Sequence, residues 1–270
     1  MRFTAALRRL LAHQRFRQLF AVRLTSQAAD GVIQVALASY ILFSPERQPD
    51  AASIAGALAA VLLPFSVLGP FVGVFLDRWS RRQVLLLSNL ARLAPVLGAG
   101  LLIAGGAGEA PLFAVVLLAF SINRFFLAAL SAALPHVVDP DELVLANSVT
   151  PTSGTIAFMV GLGAATGLRH VLPGQDPDAA VVMLAAAGYL TAALLALRLP
   201  RALLGPDLGM ARAAVREDLH NVVTGLIGGL RHLEARRPAA YALVVIASHR
   251  FFYGLSTVAT ILLYRNSFHP

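Results

Sequence analysis

Four polar residues interrupt the first long apolar run of the chain: Arg23, Gln27, Asp30 and Gln34. Spacings of four, three and four put them on one face of a helix. A carboxylate in such a run can take up a proton or hold a cation. An arginine there can pair with it or meet a charged solute. A charge at mid-bilayer costs at least about 2.5–3.5 kcal/mol on insertion scales, so this face is expected to line a cavity or meet a partner. Two readings stand: Asp30 is a titrating or coupling carboxylate on a cavity-lining stripe, or Arg23 pairs with Asp30 and neutralises it. A second group is Asn123 with Arg124, in the middle of another apolar run. Arg124 needs a carboxylate, a water-filled cavity or a substrate charge, and Asp30 is its candidate partner, with a purely structural ion pair as the alternative. A third group is His249 with Arg250 near the end of the chain, where His249, Tyr253, Ser256 and Thr260 share a face. His249 is either proton-linked or held in a structural hydrogen bond.

The elements that must position these groups are membrane helices. Of 270 residues, 57% are hydrophobic and 13% charged, against about 45–50% and about 25% in soluble domains. The chain is an all-α polytopic membrane protein by this measure. With no cysteine, disulfides and cysteine-ligated metal sites are excluded. All 22 basic residues are arginine, and the net charge is +8. Their clustering in alternate loops speaks against nucleic acid as the partner. Residues 200–237, where arginines and acids mix with leucines at helical spacing, lie in no recognisable DNA-binding fold. No His-Glu-x-x-His, no Gly-x-Ser-x-Gly and no paired membrane aspartates occur, so an enzyme is not expected and no cofactor is implied.

Apolar runs predict spans at about 17–43, 51–76, 83–105, 110–134, 147–170, 179–199 and 238–264. Residues 1–16 are basic and amphipathic, either a helix lying on anionic lipid or a topogenic flank. Pro64 and Gly69-Pro70 predict a kink in the second span. Arg92, two turns inside the third, is expected to snorkel to the surface. Asp139-Pro140-Asp141-Glu142 has the pattern of a capping box opening a helix. His136 nearby is a surface histidine or a pH sensor. Gly154, Gly161, Gly163 and Gly167 predict close helix packing. Most arginines fall on one side if the spans alternate, which puts the N-terminus in the cytoplasm. The location implied is the cell (inner or plasma) membrane.

Between the second and third spans stands Gly73-Val-Phe-Leu-Asp77-Arg78-Trp-Ser80-Arg81-Arg82. This resembles the cytoplasmic signature of the major facilitator superfamily, with Ser80 where the usual form has Gly. Arg124 resembles the family's recurrent fourth-span arginine, with Ala128 replacing the glycine of that pattern. The run Leu134-Pro-x-x-Val137 followed by Glu142-Leu-x-x-Ala146-Asn147-Ser148 is similar to the loop of the enterobactin-exporter and macrolide-efflux-like branch. Gly161 to Gly167 is rich in glycine like the family's antiporter signature, without its proline.

The resemblance implies a six-helix bundle of two three-helix repeats over 1–199, a cytoplasmic amphipathic linker over 200–237 and a seventh transmembrane helix over 238–270. Members carry twelve spans in two bundles around a midplane site, so a truncated or split chain is expected, with a second-half chain or another copy of itself as partner. The function implied is secondary active transport: proton-coupled export of a hydrophobic or amphipathic small molecule, drug or siderophore-like. Asp30 would be the coupling group, with Arg124 setting its proton affinity. Arg23, Gln27, Gln34, Asn123, Arg124, His249 and Arg250 would line the path, and Gly73, Asp77, Arg78, Arg81 and Arg82 would form the cytoplasmic gate. The alternative is a non-transporting truncated membrane protein or an interaction module. Partners otherwise are the substrate, H+ and the lipid bilayer.

Overall fold

The computed structural model of the chain describes residues 3–41, 71–72, 75–76, 78–107, 109–171, 177–205 and 215–263. Among them every regular element is helical. In chain order these are α1 (Phe3–Leu10), α2 (Gln14–Ile41), α3 (Arg81–Ala104), α4 (Glu109–Ala133), α5 (Leu143–Val171), α6 (Pro177–Leu197), α7 (Val215–Ala235) and α8 (Arg237–Leu263). Short 3-10 turns at Leu134–His136 and Pro140–Glu142 join α4 to α5. The expected second span through residue 70, with its prolines, lies outside the described residues, as do Gly73 and Asp77.

Four segments are long and apolar enough to cross a membrane: Arg81–Ala104, Leu117–His136, Pro140–Val171 and Asp178–Leu197. They correspond to α3–α6. The 28-residue α2 and the 27-residue α8 have the length. Charges at Arg23 and Asp30 on α2 and at Arg250 on α8 lower their hydropathy, and neither is among the four. Leu101, Met159, Met183 and Leu194 stand exposed on the bundle. That is the arrangement a lipid solvent allows, because every backbone group is satisfied inside its own helix.

The helices form two compact units, α1–α6 and α7–α8. In the first, α2 lies between α5 and α6, α6 packs also on α3, and α3 packs on α4. Small residues let α2 meet α5 backbone to backbone. A Cβ on Gly31 would fall on the Phe158 carbonyl, and one on Gly161 would fall on the Ala28 carbonyl. Such approach is how helices associate where lipid supplies no hydrophobic drive. Gly163 and Gly167, expected to pack too, have open space beside them. Helical periodicity explains this: they sit on the outward face of α5.

The largest apolar core lies near the start of α2, where Leu10, Phe16, Phe126, Leu134, Leu199 and Leu204 are buried together. Phe16 stacks on Phe20 with ring centroids 5.3 Å apart. Gly105-Gly106 closes α3: Gly106 takes φ of 63°, and the amide of Ala107 donates to the Leu102 carbonyl at 2.9 Å. This is a glycine-based helix stop. In the second unit α7 and α8 touch each other.

Candidate functional site

The polar stripe on α2 splits into two sets of contacts. Arg23 is buried, and its Nε donates to Gln27 Oε1 at 2.8 Å. The pair is pressed against Gly154 of α5, where a Cβ would collide with both side chains. Arg23 therefore does not neutralise Asp30. One turn further along, Asp30 faces α3 and α6 instead.

Asp30 Oδ1 accepts from Arg92 Nη1 at 2.9 Å and from the Tyr189 hydroxyl at 2.6 Å. Arg92 is 1% exposed and Asp30 15%. The expectation that Arg92 snorkels is corrected here. The rings of Phe126 on α4 and Tyr189 on α6 cover it, and a charged partner inside replaces the headgroup layer. Its Nη1 also donates to Ser26 Oγ at 3.0 Å, and Ser26 in turn donates to Asn89 Oδ1 at 2.8 Å. Asn89 Nδ2 donates to the Leu85 carbonyl at 2.8 Å. The guanidinium carbon of Arg92 lies 4.3 Å from the Phe126 ring centroid and 5.0 Å from that of Tyr189. Aromatic faces thus cover a cation whose Nε and Nη2 find no hydrogen-bond acceptor.

The network joins α2, α3, α4 and α6 through one ion pair. Its signal in the sequence was a matched spacing: Ser26 and Asp30 stand four apart on α2, Asn89 and Arg92 three apart on α3. Those intervals put each pair on one helix face. Tyr189 gives no such signal, being a single tyrosine in an apolar run.

The remaining expected residues are placed as follows. Arg124 and Asn123 sit half-buried on α4, and among the described residues the hydrogen bonds to Asp30 come from Arg92 and Tyr189 rather than from Arg124. Gln34 is half-buried one turn beyond Asp30. His249 and Arg250 lie exposed on α8 in the second unit. Of the loop arginines, Arg82 reaches the carbonyls of Ala196 and Leu197 at 3.4 and 3.2 Å, capping the C-terminus of α6. Arg81 Nη1 donates to the Leu204 carbonyl at 2.9 Å and lies 3.1 Å from His136 Nε2. Gly205 accepts the Arg81 amide with φ of 66°, in a conformation that favours glycine. Arg78 is half-buried in the same turn. His136 is exposed.

The capping box expected at Asp139 does not form. Asp139 makes no side-chain cap bond. Glu142, 3% exposed, is taken instead by α1 and the turn after it: Arg9 Nε donates to Oε1, and His13 Nε2 lies 2.8 Å from Oε2. Arg9 Nη2 also reaches Asp141 at 3.2 Å. The hydrogen bond and charge of Glu142, with the Asp141 charge, raise the pKa of Arg9. The basic N-terminal helix is thereby docked on the α4–α5 loop, a contact that neither sequence reading of residues 1–16 contained. Ligand atoms of His13, Asp139 and Glu142 lie within 4.8 Å of one another, but the Arg9 guanidinium already balances the buried carboxylate, so the group reads as an ion-pair cluster.

An apolar cleft of about 680 Å³ opens between α2, α5 and α6, lined by Phe20, Leu24, Val32, Ile156 and Val160 among others. None of Arg23, Gln27, Asp30, Gln34, Asn123 and Arg124 lines it. Its size suits a drug-sized apolar ligand.

Comparison with known proteins agrees with this architecture. Residues 19–269 match the family model of the Major Facilitator Superfamily. An uncharacterized MFS-type transporter of Mycobacterium tuberculosis is 40% identical over 252 residues, covering 93% of this chain and 57% of the relative. A counterpart in Mycobacterium bovis gives the same figures, 40% over 252 residues, 93% and 57%. Macrolide efflux protein A of Streptococcus pyogenes is 26% identical over 160 residues, 58% of this chain and 38% of its own length. The chain thus spans 57% of the length of these two mycobacterial relatives. With a match running from α2 to α8 and including the four helices long and apolar enough to cross a membrane, this multi-pass chain belongs to the Major Facilitator Superfamily.

Proposed function

We propose that the chain works in secondary active transport, as a proton-coupled exporter of a hydrophobic or amphipathic small molecule, with Asp30 as the coupling carboxylate. The observation that carries this is the Asp30–Arg92 pair at 2.9 Å, buried where three helices meet. A proton on Asp30 cancels its attraction to Arg92 and leaves the guanidinium to Ser26 and the two aromatic rings. The seating of α2 on α3 and α6 then depends on the protonation of one group. That is a bistable element of the kind transport coupling needs. The apolar cleft supports an apolar substrate, and the Streptococcus pyogenes relative is named for macrolide efflux.

The same proposal covers the setting: the cell membrane, the N-terminus cytoplasmic, and a division into a bundle over 1–199, a linker over 200–237 and a further span over 238–270. The loop arginines, with Gly73 and Asp77, would form the cytoplasmic gate, and His249 and Arg250 would face the path. A second reading treats Asp30–Arg92 as a structural lock, favoured by the near-complete burial of Arg92.

The test is efflux of a lipophilic dye or a macrolide from vesicles under an imposed pH gradient, for the wild type and Asp30→Asn at matched protein levels. Gradient-driven efflux in the wild type and none in the variant is expected. No efflux in the wild type overturns transport. Equal efflux in both overturns coupling through Asp30 and leaves the lock.

A further inference from the structure

A polar cleft of about 270 Å³ lies between the first turns of α2 and the end of α6, lined by Gln14, Arg17, Gln18, Ala21, Leu195 and Arg198. Among the described residues no acidic side chain lines it. Three other arginines at this end of the bundle are engaged: Arg9 with Glu142 and Asp141, Arg81 with the Leu204 carbonyl, Arg82 with the carbonyls ending α6. The two in the cleft are set apart by sharing one concave site. Among the described residues Arg17 uses Nη1 alone, on the carbonyls of Leu11 and Ala12 at 2.9 and 3.3 Å. Arg198 is exposed, and its side chain makes no hydrogen bond or ion pair among the described residues.

Among the described residues, two guanidiniums thus share a cleft with two amide side chains and no counter-charge. The donor set suits a phosphate, which takes planar, two-pronged hydrogen bonds from arginine. What lies beside the cleft selects the kind of phosphate. Leu190, Leu194 and Leu197 are exposed on α6. Their spacing of four and three makes a stripe along the helix that ends beside Arg198. An anionic head at the arginines and acyl chains along the leucines describe one molecule.

We propose that this cleft is a binding site for an anionic phospholipid, its phosphate held between Arg17 and Arg198. The site rests on the membrane-spanning architecture and stands apart from the transport reading, since none of its residues belongs to the Asp30 network. A basic pocket between transmembrane helices at the membrane surface is the physical setting in which charged lipid headgroups are recognised.

The test is native mass spectrometry of the purified full chain, titrated with phosphatidylglycerol, phosphatidylcholine and soluble glycerol phosphate. Preferential retention of phosphatidylglycerol is expected. At about a factor of five per arginine, Arg17→Gln and Arg198→Gln each weaken it about fivefold and the double variant about thirtyfold. Arg201→Gln removes the same charge from the same end of the bundle and is expected to change binding less than twofold, a threshold of about 0.4 kcal/mol. Equal retention of phosphatidylcholine overturns the proposal. So does an Arg201→Gln loss as large as that of Arg198→Gln, which marks diffuse surface charge. Binding of glycerol phosphate as tight as that of the lipid points to a free phosphate ligand and overturns it too. If Arg17→Gln disturbs the α1–α2 turn, Arg198→Gln decides alone.

Discussion

Arg92 on α3 and Asp30 on α2 form an ion pair at 2.9 Å with the cation 1% exposed. The pair holds together because its surroundings finish the solvation that lipid cannot provide. Tyr189 and Ser26 supply hydrogen bonds, and Phe126 supplies a ring face.

Removing one member should therefore cost more than removing both. Arg92→Leu strands Asp30 and is expected to destabilise the bundle by about 3–5 kcal/mol. Asp30→Asn with Arg92→Leu should recover a large part of that loss. Thermal aggregation in detergent, followed across the four-member mutant cycle, reads the coupling. Additive effects would mean that the two groups stand independently.

Tyr189→Phe keeps the ring over Arg92 and removes the hydroxyl. The expected loss of stability is about 0.5–1.5 kcal/mol, that of one hydrogen bond. If Asp30 is the coupling group, the variant should also shift the pH profile of efflux, because one donor to the carboxylate is gone. A stability change with an unmoved profile would assign the tyrosine to packing alone.

Two glycines of α5 should respond with opposite signs. Gly161→Ala drives a methyl into the Ala28 carbonyl and should destabilise by about 1–3 kcal/mol. Gly163→Ala meets open space and should stabilise by about 0.8–1 kcal/mol through helix propensity. Melting temperatures in one detergent decide it. Equal shifts for the two would contradict the close approach of α2 and α5.

Glu142→Ala should release α1 from the α4–α5 loop, since Arg9 and His13 both meet that carboxylate. Faster amide exchange across Phe3–Leu10 is the expected result, with the exchange of α3 unchanged. Asp139→Ala should leave α1 protected, since Asp139 is not paired with Arg9.

The chain by itself determined the helices and the faces of them that carry charge. Apolar runs of about twenty residues have one stable form in lipid, so α3–α6 were legible from hydropathy. The spacing of Arg23, Gln27, Asp30 and Gln34 fixed one polar face, because helical periodicity is local. The signature loop was enough to suggest the family. What periodicity does not carry is which helix that face meets. From the sequence, Asp30 had two candidate partners, Arg23 and Arg124. Tertiary packing decided for Arg92 and Tyr189, because α6 lies against both α2 and α3 and brings them together. Docking of α1 on Glu142 was decided the same way. A capping pattern is local, but a buried carboxylate takes the strongest donors that the fold brings within reach, and those came from 133 residues away.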